Sequence, residues 1–325
     1  MSIASYIKVI GRGREGARAL NRDQAHDLMC QVLDGRVTDL EIGAFAVAMR
    51  IKGETVAELT GFFDAVRERC IDIRLDRPAV VLPSYNGSRK VPNLTPLLAM
   101  LLAQHEVPVL VHGPARDPAR VTSAEIFRDL GLTCARDAGD VAAAWERHEP
   151  AFIPTDALCP PLARLLAVRA IVGLRNPGHT VAKLLGTFSG APTMRVVNFT
   201  HPEYGELLAR FLEATGANAM LMRGTEGEPA ADARRLQKLD VFIAGRMRAE
   251  LSVPAQEGVL AGAPVLPPGN DASTTASTIQ AIVSGAIPAP VPLATQTACL
   301  LRALVSITSM QAGAQEAPEP APATR

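Results

Sequence analysis

The residues in this chain best suited to chemistry are cations with no carboxylates beside them. From Ala157 to Pro202 there is no Asp or Glu over 46 residues, yet the stretch carries Arg164, Arg169, Arg175, Lys183 and Arg195, with His179 and His201. The first 22 residues hold Lys8, Arg12, Arg14, Arg18 and Arg22 against Glu15 alone, and Arg89-Lys90 sit together on a turn-like segment. Uncompensated guanidinium and ammonium groups pair with phosphate or carboxylate ligands, Arg through a bidentate fork. Taken singly, each cluster reads by default as a solvated face, and Arg169 or Arg175 is equally open to pairing with a carboxylate elsewhere in the chain. Arg outnumbers Lys 28 to 5 throughout, a bias that needs no function. Tyr85 offers a ring on which a base could stack, but 4% aromatic residues supply no stacking platform. His112 and His179 fit satisfied structural histidines more readily than ligands.

Formal net charge is zero, so any affinity for nucleic acid rests on how charge is distributed. Cys30, Cys70, Cys134, Cys159 and Cys299 are scattered, with no C-x-x-C pair. That argues against structural zinc and against a disulfide framework, and fits a reducing compartment. The apolar run Leu97 to Ala103 is too short to span a bilayer, and no basic-then-apolar leader opens the chain. The expectation is a cytoplasmic protein with no membrane partner, no cofactor and no metal.

The elements that must position these residues fall into two kinds. Asn21 with Gln24, Thr38 with Glu41 and Thr55 with Glu58 each precede apolar residues at helical spacing. Such pairs satisfy backbone N–H groups left free at a helix start, so the first 70 residues or so read as four short helices joined by tight turns. Beyond residue 75 the pattern changes. Strand-like runs at Val80 to Leu82, Val107 to Val111, Phe152-Ile153, Met194 to Val197, Ala219 to Met222 and Val241 to Ile243 share the rest of the chain with helices. The helical stretches are Leu94 to Gln104, Thr122 to Leu130, Asp271 to Ser284 and Pro292 to about Thr308. That predicts an α/β domain over 75–310 on a mostly parallel sheet, after a helical domain over 1–74 that a returning segment near 160–188 is expected to join. Residues 311–325, rich in Ala, Pro, Glu and Thr, are expected to form a disordered tail.

The order of segments resembles the anthranilate phosphoribosyltransferases, the TrpD-like branch of a fold shared with pyrimidine nucleoside phosphorylases. The resemblance covers residues 3–310. It is carried by Asp34-Gly35-Arg36-Val37-Thr38, by Ala48-Met49-Arg50-Ile51-Lys52-Gly53-Glu54-Thr55, by Val109 to Gly113, by Ala124 to Gly131, and by Val168-Arg169 with Leu174-Arg175. The family implies a glycine-rich pyrophosphate loop, a Lys before a His-Gly pair, an Asn and two serines after it, and an Asp-Glu dyad for magnesium. Each has changed here. The loop is Pro83-Ser84-Tyr85-Asn86-Gly87-Ser88, the Lys is Val111, the Asn is Pro114, the serines are Pro118-Ala119 and the dyad falls on Pro229-Ala230. A further pocket His is Cys159. A pyrophosphate needs close backbone N–H groups and a cation, and magnesium needs carboxylates. Glu226 and Glu228 hold a metal only in a shifted register.

The replacement segments, with Ile10 to Arg14, His201-Pro202-Glu203-Tyr204 and Gly224-Thr225-Glu226-Gly227-Glu228, are similar to the YbiB subgroup of TrpD-like proteins over nearly the whole chain. That resemblance, and not composition or periodicity, implies a non-catalytic homodimer, joined through the helical domain, that binds DNA and by extension RNA with little sequence preference. The residues expected to carry the binding are Lys8, Arg12, Arg14, Arg18, Arg89, Lys90, Arg164, Arg169, Arg175 and Lys183, as three basic segments bordering one groove. Ser84, Tyr85, Asn86, Gly87, Asn93, Thr95, His112, Gly113 and His179 are expected in the old cleft. The competing readings are a phosphoribosyltransferase with an altered site and a protein-binding scaffold.

Overall fold

The computed structural model describes residues 2–186, 188–261 and 266–315. It begins with five helical segments, α1 (Ala4–Ile10), α2 (Gly13–Gly16), α3 (Arg22–Leu33), α4 (Asp39–Lys52) and α5 (Val56–Arg67). All three anticipated capping boxes form: Asn21, Thr38 and Thr55 accept from the backbone of Gln24, Glu41 and Glu58, whose side chains reach back. The α5 box is also buried. Glu58 accepts a hydrogen bond from the Leu20 N–H at 3.0 Å and forms an ion pair with Lys52 at 2.7 Å, so one carboxylate starts α5 and ties it to α4 and to the turn before α3.

After β1 (Arg74–Leu75) come β2 (Ala79–Pro83), α6 (Thr95–Ala103), β3 (Val109–Gly113), α7 (Ser123–Asp129), α8 (Ala138–Glu146) and β4 (Ala151–Pro154). Four short helices follow, α9 (Thr155–Leu158), α10 (Pro160–Ala167), α11 (Arg169–Val172) and α12 (Gly178–Ala182). Of these, α10 packs on α3 and α12 on α5. The chain then forms β5 (Ser189–Gly190), β6 (Thr193–Phe199), α13 (Pro202–Ala214), β7 (Ala219–Arg223), β8 (Leu239–Ile243), β9 (Arg246–Met247), α14 (Ala272–Val283) and α15 (Val291–Gln315). The α7 helix carries a fourth capping box, Thr122 with Glu125.

The main sheet runs β4-β3-β2-β6-β7-β8-β9, parallel from β4 to β7 and antiparallel beyond. Its central strands are buried at nearly every position and mostly apolar, as a sheet covered on both faces requires. Successive residues feed two cores. Leu110, Val197 and Leu221 join the helical half and α13, while Val109, Val111, Val196 and Met220 pack under α6, α14 and α15. The first core runs without a break from α3 and α5 into the sheet, so the helical half and the sheet share apolar packing.

Two features of the last helix differ from expectation. It extends to Gln315, through the first five residues of the expected tail; Gln311, Ala312, Ala314 and Gln315 favour helix and Pro comes only at 318. Residues 316–325 lie outside the described residues. Val291–Gln311 is also long and apolar enough to cross a membrane, but half of that stretch is buried, with Cys299, Leu300 and Ala303 fully enclosed beside α6, β6 and β8. It is built as a core helix.

Candidate functional site: a cationic cleft beside a filled anion loop

In a parallel sheet the loops after the C-terminal strand ends gather on one edge, and where the connections diverge they leave a crevice. Here the loops after β2, β3, β6 and β7 meet there. The loop after β2, residues 84–94, is the segment aligned with the pyrophosphate loop of the transferases. It keeps the capacity to hold anions, and the chain's own glutamates take it up.

Glu228, after β7, is 2% exposed. Its carboxylate accepts from the backbone N–H groups of Asn86 and Gly87, both at 2.8 Å, from the Thr95 hydroxyl at 3.0 Å and from the Ser84 hydroxyl. A relay stands behind Ser84: Asn93 Nδ2 donates to Ser123 Oγ at 3.1 Å, which lies 2.7 Å from Ser84 Oγ. Glu226 fills a second cradle, accepting from the N–H groups of Arg89, Lys90 and Val91 at 2.7, 2.9 and 3.4 Å. Burial alone would raise its pKa, but the three backbone donors outweigh it and hold it below the usual carboxylate range. Gly227 makes the double insertion possible. Its φ is +87°, and a Cβ there would lie 1.7 Å from Asn86 Nδ2, which itself donates to the Glu226 carbonyl at 2.7 Å.

This geometry engages most of the carboxylate oxygens at the loop. Both oxygens of Glu228 and Oε2 of Glu226 are turned into cradles of N–H and hydroxyl donors, which leaves only Glu226 Oε1 without a donor, and Pro229-Ala230 follow with no carboxylate.

Next to the filled loop lies a cleft of about 460 Å³ between α4 and the sheet edge. Arg50, Arg120, Arg175 and Lys183 line it, with His179, Asn198 and Tyr204 and two carboxylates, Glu54 and Glu226. Among the described residues none of the four cations forms an ion pair with a carboxylate. Arg175 donates to Asn86 Oδ1 at 2.7 Å, Arg120 to the Gly87 carbonyl at 3.2 Å and Lys183 to Asn198 Oδ1 at 3.2 Å, all neutral acceptors. Burial, then the neighbouring charges of Arg169, Arg120 and Arg50, lowers the Arg175 pKa, with only Asp117 opposing. Burial and Arg175 bring Lys183 down to about 8, against the pull of Glu228, and bring His179 down to about 4. Glu54 and Glu226 offset part of this charge through Arg50 and Arg120, and four cations against two carboxylates leave the cleft net positive and favourable to an anion.

The sequence-derived candidates divide accordingly. Arg175, Lys183, His179 and Asn86 line the cleft, and Arg169 is exposed close to Arg175. Ser84, Gly87, Asn93 and Thr95 build the cradle around Glu228 and are closed off from the cleft. Gly113 lies under that loop, where a Cβ would meet the Ser84 carbonyl at 1.8 Å. Tyr85 turns inward, away from any stacking position, and packs edge-on to His112 at 5.4 Å. The fully buried His112 lies 3.4 Å from the Leu185 carbonyl through Nε2, so Nδ1 accepts from the Tyr85 hydroxyl at 3.0 Å. Burial brings His112 down to about 4 and keeps it neutral.

The three basic segments do not border one groove. Lys8, Arg12 and Arg18 are on α1, α2's leading turn and the turn after it and do not line the cleft. Arg14 belongs to α2. Arg89 and Lys90 have exposed side chains while their N–H groups hold Glu226. Arg164 caps the end of α3 through the Leu33 carbonyl at 3.1 Å, a packing role that charge counting does not register. Arg195, also within the acid-free stretch, is buried with its guanidinium 5.6 Å over the Phe63 ring and a bond to the Leu184 carbonyl. Sequence reasoning missed Arg50, Arg120 and Asn198 as cleft residues. Arg50 lies in the Ala48 to Thr55 element, whose resemblance to the family was the available signal.

Comparisons with known proteins agree with this geometry. Residues 4–70 match a family described as the glycosyl transferase family helical bundle domain. The YbiB protein of Escherichia coli (strain K12) is 42% identical over 306 residues, 93% of this chain and 94% of its own. An anthranilate phosphoribosyltransferase of Methanopyrus kandleri is 28% identical over 222 residues, 68% of this chain and 63% of its own. Among solved structures, the anthranilate phosphoribosyltransferase of Thermus thermophilus superposes with a TM-score of 0.69 at 21% identity, over 94% of this chain and 89% of that one. A helical domain on a mostly parallel sheet, with this level of identity to YbiB across nearly the whole of both chains, thus places the chain in the YbiB-like subgroup of the TrpD-like, anthranilate phosphoribosyltransferase-fold proteins.

Proposed function

We propose that this protein is a non-catalytic nucleic-acid-binding homodimer that holds the phosphate backbone of DNA, or of RNA, with little base readout. One observation carries the reading. Arg50, Arg120, Arg175 and Lys183 converge on a cleft that holds only two carboxylates, Glu54 and Glu226, and among the described residues none of the four is in an ion pair, while the adjacent loop is filled by Glu226 and Glu228. A site that supplies cations but keeps its pyrophosphate cradle occupied suits phosphates presented from outside better than a buried pyrophosphate. Lys8, Arg12, Arg18, Arg89, Lys90 and Arg169 extend the footprint beyond the cleft.

Pairing with a second copy is supported by α4. Leu40 and Ile51 are 84% and 64% exposed, and with Val47 they form a stripe at steps of seven and four residues, one face of a helix. Two copies would double the phosphate sites and add avidity wherever one strand reaches both.

The test is a binding series over salt concentration with single- and double-stranded DNA and RNA, and phosphoribosyl pyrophosphate as competitor. Salt-dependent binding that the competitor leaves untouched is expected. Saturable, magnesium-dependent binding of the competitor alone would instead support a transferase with an altered site.

A further inference from the structure

A second cluster lies on the helical half, away from the cleft. His26 and Cys30 are one turn apart on α3 and so share a face. Glu68 caps the C-terminal end of α5. What brings it over that face is Gly61: a Cβ there would lie 2.3 Å from the Arg22 carbonyl, 2.8 Å from the His26 nitrogen and 2.9 Å from Ala25 Cβ. The two helices therefore meet backbone to backbone at Gly61, and Glu68 follows seven residues on, two turns along the same face. Ion pairs pin the seam on either side, Arg22 to Asp64 at 2.6 Å and Arg69 to Asp34 at 2.7 Å.

The ligand atoms have metal-site spacing. His26 Nε2 stands 2.9 and 3.0 Å from the two Glu68 oxygens and 3.7 Å from Cys30 Sγ, and all three ligand atoms lie within 4.8 Å of one another. A tetrahedral zinc with usual bond lengths places sulfur and nitrogen about 3.6 Å apart, and nitrogen and oxygen about 3.4 Å. His26 and Glu68 must part by about half an ångström, and Cys30 Sγ and the Glu68 oxygen, within 4.8 Å of one another, must settle about 3.6 Å apart. We propose that His26, Cys30 and Glu68 bind a zinc-class divalent cation, with water as fourth ligand, clipping α3 to α5.

The chemistry is balanced. A thiolate and a carboxylate neutralise the two charges of the cation, and binding releases the Cys30 proton. Sulfur, imidazole and carboxylate together favour a borderline-soft ion over magnesium or calcium. His26 and Glu68 are 35% and 50% exposed at their side chains, which leaves the fourth position open to solvent. The rival account is an ion-pair cluster in which Glu68 meets both His26 at 2.9 Å and Arg69 at 3.6 Å, with an inert thiol alongside.

Titration of the reduced full-length protein with cobalt chloride separates the two. One equivalent should produce a thiolate-to-cobalt charge-transfer band and the intense visible absorption of a tetrahedral site, both abolished by zinc chloride. Cys30→Ser should lose the charge-transfer band. The surface substitution Glu68→Gln, which leaves the core intact, should weaken cobalt binding roughly tenfold or more. Zinc should raise the thermal midpoint of the wild type but not that of Cys30→Ser. A wild type with no charge-transfer band, or a band that survives in Cys30→Ser and so arises from another cysteine, would overturn the proposal.

Discussion

Removal of the Glu228 carboxylate tests the filled cradle directly. Glu228→Ala takes away four hydrogen bonds at a position with 2% exposure. The Ser84 hydroxyl can turn to Ser123, 2.7 Å away, but the N–H groups of Asn86 and Gly87 have no other acceptor. Two buried N–H groups left unpaired cost about 1–3 kcal/mol each, so the loss should be about 3–5 kcal/mol. At roughly 2 °C per kcal/mol for a large domain, the thermal midpoint should fall by roughly 6–10 °C. Glu228→Gln keeps the shape and one oxygen for the two N–H donors, and should lose only about 1–2 kcal/mol. Urea unfolding followed by fluorescence reads this well, because the single tryptophan, Trp145, donates to the Val109 carbonyl at 2.9 Å beside the central sheet. Inorganic phosphate should restore part of the lost stability to Glu228→Ala but add nothing to the wild type, since only the variant has free cradle donors. A loss below about 1 kcal/mol, with Ala and Gln indistinguishable, would show that the carboxylate does not sit among these donors.

Three further outcomes are expected. Lys183, at about 8, is mostly charged at pH 7 and mostly neutral at pH 9, so affinity for a polyanion should weaken roughly two- to tenfold across that interval; Lys183→Arg should flatten the profile in fluorescence anisotropy titrations. His112 is held neutral down to about pH 4 in the folded state, whereas an unfolded imidazole takes up its proton near 6.5. Stability should therefore fall on the order of 3 kcal/mol as pH drops from 6.5 to 4, and His112→Gln, measured by denaturant unfolding, should remove most of that part of the slope. Leu40→Lys combined with Ile51→Glu should yield a monomer in sedimentation equilibrium with the far-ultraviolet circular dichroism unchanged; persistence of a dimer would move the interface off α4.

What was legible in the sequence was what is local. Asn21, Thr38 and Thr55 each act on residues three positions away, so their pattern predicts the helix starts that form. Alternation in Val109 to Val111 and Met194 to Val197 likewise follows from a period of two. The cradle was not legible. Glu228 meets Asn86 across 142 positions, and nothing in Gly224-Thr225-Glu226-Gly227-Glu228 says that its carboxylates turn toward the β2 loop. Charge counting also cannot tell Arg175, which faces the cleft, from Arg195, which lies on β6 and points into the core over Phe63. Two of the three residues in the His26–Cys30–Glu68 cluster stand at helical spacing in the sequence, but the third depends on the close approach at Gly61.

The central claim is that the cleft cations hold a phosphate backbone, and the most direct measurement is the salt dependence of binding to a single-stranded oligonucleotide for wild type and for Arg50→Ala, Arg120→Ala, Arg175→Ala and Lys183→Ala combined. At roughly −0.7 to −0.9 per phosphate contact, about six contacts give a slope of log affinity against log salt near −4 to −5 for the wild type. The fourfold variant should retain only the exposed outer cations, with a slope of roughly −1 to −2 and weaker binding at every salt concentration. An unchanged affinity and slope in that variant, shown to be folded, would contradict the account.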